Sequence, residues 1–101
     1  MQGYNLRGKL ITDPYFEEVP THEAIDKYIP HDYNSSKIKK VTFSFCRDGK
    51  SKEELKVEVY GPLAIKVDQY FRLGDNCILI FDRIVGASSP LYPNEIELHY
   101  R

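Results

Sequence analysis

The stretch KVEVYGPLAIKVDQYFRLGDNCILIF, from Lys56 to Phe81, constrains the fold of this chain more than any other part of it. Two runs of strand character flank one short amphipathic segment, with Gly61-Pro62 as the break before it and Gly74-Asp75 as the break after it. Proline fits the first turn of a helix, because the backbone donor it lacks would have no partner there. Leu63, Ala64, Val67, Tyr70 and Phe71 then recur at the spacing of one apolar helical face. A helix with one apolar face, held between two strands by short breaks, must lie against the sheet that those strands belong to.

The rest of the chain supplies that sheet. Tyr4 to Ile11 alternates Tyr4, Leu6, Gly8 and Leu10 with Asn5, Arg7, Lys9 and Ile11, and Gly8 in mid-strand predicts a bulge or sharp bend. KIKKVTFSFCRDG alternates most cleanly, with Val41, Phe43 and Phe45 expected inward and Lys40, Thr42 and Ser44 outward. Asp48-Gly49 marks a turn into a partner strand, with Leu55, Val57 and Val59 inward and Lys56, Glu58 and Tyr60 outward. NCILIFDRIV is apolar on both faces through Ile80, and EIELHYR closes the set with Ile96, Leu98 and Tyr100 on one side. Between Thr12 and Ser36 a Pro-punctuated connection intervenes, in which Thr21 can cap a short helix bearing Ala24, Ile25, Tyr28 and Ile29 until Pro30 ends it. Tyr15 and Phe16 are expected to anchor that connection to the sheet.

Five short strands with one helix between the third and fourth give an all-β chain with one helix, in the element order of a five-stranded OB-fold Greek-key barrel. With 101 residues there is chain for one such domain, residues 1–101. ELKVEVYGPLAIKVDQYFRLGDNCILIF resembles the strand–helix–strand portion of single-strand-binding OB domains of the replication protein A and telomere end-protection type. The resemblance covers roughly the C-terminal half. It implies binding of single-stranded nucleic acid, DNA in particular, in replication, repair or telomere protection, a nuclear location, and no cofactor. Such domains place stacking aromatics on the outward faces of strands two and three, where this chain offers only Tyr60.

Single-strand binding needs cations along phosphates and flat side chains under bases. Lys39, Lys40 and Arg47 cluster on the second strand beside Lys37, Lys56 is expected across from them, and Tyr60, Tyr92 and Tyr33 flank the groove. Pro90 and Pro93 bracket Tyr92, making it a stacking platform or a lid on the barrel. The rival reading is a protein-interaction OB module, a small subunit or adaptor in a larger assembly. It is favoured by 14 basic against 15 acidic residues, by the few outward aromatics, and by Ile78 and Ile80 on a second apolar face of the fourth strand, a candidate partner interface.

An enzyme is not expected. His22, His31 and His99 are scattered, His22 with Asp26 falls short of a metal site, and Cys46 and Cys77 are expected as reduced, buried thiols. No apolar run is long enough to span a bilayer, and the cysteine usage fits an intracellular protein with no membrane partner.

Overall fold

The computed structural model describes residues 3–24, 36–82 and 89–99. Strands β1 (Tyr4–Leu10), β2 (Tyr15–Pro20), β3 (Lys37–Arg47), β4 (Leu55–Tyr60), β5 (Asn76–Phe81) and β6 (Glu95–Leu98) join one helix, α1 (Pro62–Tyr70). The fold is mainly β, and its antiparallel sheet curls into a half-barrel.

The strand order is β2-β3-β1-β5-β6, with β4 on the other edge of β3. The long β3 makes this possible: residues Lys37 to Thr42 pair with β2 and Phe45 to Arg47 pair with β1 on one edge, while Lys40 to Phe45 pair with β4 on the other. A parallel bridge between Val57 and Leu91 brings the segment before β6 back to β4. Its bonds run from Glu58 N to Leu91 O at 3.0 Å and from Leu91 N to Lys56 O at 2.8 Å.

Five strands were expected and six are described. The additional one is β2, drawn from the connection that carries Tyr15 and Phe16, and it satisfies its backbone groups by pairing with Lys37 to Thr42. The helix expected from Thr21 is described only as a four-residue 3-10 turn, Thr21–Ala24. Ile25, Tyr28, Ile29, His31 and Tyr33 lie outside the described residues.

Inward alternation is as the sequence implies. Val41, Phe43 and Phe45 of β3 and Leu55, Val57 and Val59 of β4 are buried with Leu10, Leu79, Phe81 and Ile96 in one core. Gly8 is required by close approach, since a Cβ there would lie 2.1 Å from the carbonyl oxygen of Cys46. It sits where β1 pairs with Arg47 on one side and Cys77 on the other.

Gly61 opens α1 at a φ of 69°, a backbone region costly for any residue with a Cβ, and Pro62 follows as the first helical residue. Ala64 and Val67 are buried beneath the helix, and Leu63 packs against the same core. Tyr70 departs from the expected apolar face and is 64% exposed. The helix ends at Tyr70 and the chain becomes extended at Phe71, so the Phe71 ring reaches the core instead. Among the described residues no helix is long and apolar enough to cross a membrane.

Candidate functional site

The face opposite the core across β2, β3 and β4 is built by strand alternation, because residues paired across neighbouring strands project to the same side. One row runs Tyr15, Thr42, Glu58; the next runs Glu17, Lys40, Tyr60; Ser44 with Lys56 and Val19 with Ile38 extend it either way. All four of the outward residues expected on β3 and β4 that carry charge or an aromatic ring therefore share one surface with β2. Their environments differ sharply.

Lys40 is not a free cation. Its ammonium lies 3.2 Å from Glu23 and 3.9 Å from Glu58, and 5.6 Å from the centre of the Tyr60 ring. Burial works to lower its pKa, but the hydrogen bond to Glu23 and the field of Glu58 outweigh it and raise the value above that of an ordinary lysine. A group so held stays charged, but it would have to give up these carboxylates to meet a phosphate.

Tyr60 is not an exposed stacking platform either. It projects away from the main core as expected, yet only 4% of it is exposed, because Val19, Ala24, Ile38 and Tyr92 form a second apolar cluster around it. The strand β2 and the turn after it provide that cover. Burial pushes the Tyr60 phenol up to about 12, against the opposing pull of Lys40. Its hydroxyl donates to Glu58 at 3.4 Å.

Tyr92 is half-buried against the same cluster, its pKa raised first by burial and then by the charge of Glu58 and a hydrogen bond to it. Together with Glu58, Tyr60, Leu63, Pro93 and Asn94 it lines a small cleft of about 150 Å³.

Arg47 faces a carboxylate as well. Its guanidinium grips Glu53 with both ends of the fork, the Nε to Oε1 bond being 2.7 Å, so the Glu53 carboxyl is held below its usual range by that bond. Lys39 is exposed but alternates to the side of Val41, away from Lys40, and pairs across to Glu18. Lys56 alone of the candidate lysines stands exposed on the outer face.

Tyr15 was expected to be an anchor and is 65% exposed. It stands across from Thr42 on the outer face, an aromatic ring open to solvent on a face for which the sequence offered only Tyr60. YFEEVP carries no apolar–polar alternation that would have announced it; the segment is a strand through its pairing with β3.

On β5, Cys77, Leu79 and Phe81 point into the core, while Ile78 and Ile80 project outward and are half-buried. Ile78 lies between Arg7 and Glu97 in the register, and Ile80 between Asn5 and Glu95. Both cysteines are free thiols, and burial pushes the Cys77 thiol up to about 12. Among the described residues no group of three or more His, Cys, Asp or Glu is placed to hold a metal ion.

No protein-family model matches the chain, and no curated protein matches it.

Proposed function

We propose that this chain is an OB-type domain that binds single-stranded nucleic acid, in keeping with its resemblance to domains of the replication protein A and telomere end-protection type. The strand path β4-β3-β1-β5-β6, the bridge from Leu91 back to β4, and the helix between β4 and β5 support the barrel assignment.

The observation that carries the binding reading is the exposed Tyr15 ring on the outer face of β2, β3 and β4, in the row of Thr42 and one row from the row of Lys56. A base needs only a flat, accessible side chain to stack on, and Tyr15 supplies it without a requirement for sequence. The test is fluorescence anisotropy of a labelled oligodeoxythymidylate at low and at physiological salt. Saturable binding is expected, and Tyr15→Ala should weaken it by about 1 to 3 kcal/mol. Absence of titratable binding even at low salt overturns the reading.

A second reading, a protein-interaction module, is favoured by two specific observations. Lys40 and Arg47 are already occupied by carboxylates of the chain itself. Tyr70 and Leu73, at 64% and 57% exposed, leave apolar surface at the C-terminal end of α1. Co-purification with a protein partner, lost on Leu73→Asp, distinguishes it from the first.

A further inference from the structure

Of the two lysines on the outer face of β3 and β4, Lys40 is held by carboxylates and Lys56 is exposed, and the chain holds a second concentration of positive charge elsewhere. An open trough of about 660 Å³ lies across β1 where it meets β3 and β5, bounded by the turn after β3 and by Gly74. Lys9, Arg47 and Lys50 line it, and Asp48 is the carboxylate among its lining residues.

The state of these cations separates them from Lys40. Arg47 is engaged by Glu53, but Lys9 and Lys50 are exposed, and among the described residues neither lies within ion-pair distance of a carboxylate. Arg7, two positions before Lys9 on the same side of β1, extends the positive strip by roughly 7 Å. Among the described residues no aromatic side chain lines the trough. Among its lining residues there is nothing on which a base could stack, while two lysines and an arginine are gathered there.

We infer that this trough binds phosphate groups of a nucleic-acid backbone, with Lys9 and Lys50 as the principal contacts and Arg7 as the next along the strand. The inference rests on the single-strand-binding reading above and relocates its electrostatic half: bases stack at Tyr15, while phosphates are neutralised across β1. Unpaired, solvated cations release condensed counterions when they meet phosphates, whereas Lys40 and Arg47 would first have to give up their own carboxylates.

The experiment compares the chain with a Lys9→Gln/Lys50→Gln variant, titrating labelled oligodeoxythymidylate over a range of salt concentrations. For a single strand each phosphate contact contributes about −0.7 to the slope of log affinity against log salt, so the double variant should lose about 1.4 from it. Its affinity at low salt should fall at least tenfold, with an unchanged thermal midpoint because both side chains are exposed. An unaltered slope in a variant that binds overturns the trough as the phosphate site while leaving the single-strand reading intact. Absence of binding by the unmodified chain overturns both. Backbone amide shifts of the unmodified chain, followed by NMR as oligodeoxythymidylate is added, give an independent check: movement at Lys9, Gly49 and Lys50 is expected, and stationary signals there during saturable binding overturn the inference.

Discussion

Tyr60 and Lys40 are the residues at which burial and charge most change what the side chain can do. The Tyr60 phenol is neutral in the folded chain up to about 12, whereas an unfolded tyrosine titrates near 10. The native state therefore holds this proton more tightly than the unfolded state, and stability must fall as pH rises between those two values. Denaturant midpoints measured from pH 9 to 12 should decline in the unmodified chain and decline less in Tyr60→Phe. Tyr60→Ala removes the centre of the second apolar cluster and should cost about 2 to 4 kcal/mol, so it lowers the thermal midpoint. Phe43→Ala opens a cavity in the main core and should cost about 3 to 5 kcal/mol, against about 0.5 or less for Thr42→Ala on the opposite face.

Within the elements, backbone geometry decides which positions tolerate change. Gly8 and Gly49 are both glycines in or beside strands, but they fail for different reasons. A Cβ at Gly8 meets the Cys46 carbonyl at 2.1 Å and the Phe45 ring at 2.7 Å, so β1 and β3 would have to separate. At Gly49 nothing lies within 4 Å, and only the φ of 81° resists substitution. Gly8→Ala should therefore cost at least about 3 kcal/mol and Gly49→Ala about 1, a difference readable by urea denaturation. The helix shows the same dependence on local geometry. Its buried contribution comes from Ala64, Val67 and, past its end, Phe71, so Val67→Ala should destabilise by about 2 kcal/mol while Tyr70→Ala stays within about 0.5.

At the scale of the whole molecule, charge is nearly balanced in sum but not in place. The outer face of β2, β3 and β4 pairs Lys40 with Glu23 and Glu58 and leaves Lys56 exposed, whereas the trough across β1 leaves both Lys9 and Lys50 uncompensated by ion pairs among the described residues. The outward side of β5 sits beside that strip, with Ile78 flanked by Arg7. Ile80→Glu would set a carboxylate next to Glu95 on an already half-open face, so the isolated domain should stay folded by circular dichroism. If this face carries a protein contact, the same variant abolishes it in a pull-down. Unfolding of the isolated domain would assign Ile80 to the core.

Local pattern was enough for the alternation of β3 and β4, the breaks at Gly61-Pro62 and Gly74, and the helix between them, because side-chain period and backbone restriction act within a few residues. It placed Val41, Phe43, Phe45, Val57 and Val59 on the core side, where they lie. Tertiary structure decided the rest. YFEEVP becomes a strand because Lys37 to Thr42 offers it a free edge, and its own residues carry no apolar–polar alternation from which a reading of periodicity could find that outcome. Lys40 is engaged by Glu23, 17 residues earlier, and Tyr60 is covered by Val19 and Ala24 from the same segment. Lys9 and Lys50, 41 positions apart in sequence, meet in one trough only because β1 pairs beside the end of β3. Which face a side chain takes is a property of its own strand, but whether it is free to bind depends on what the rest of the chain folds against it.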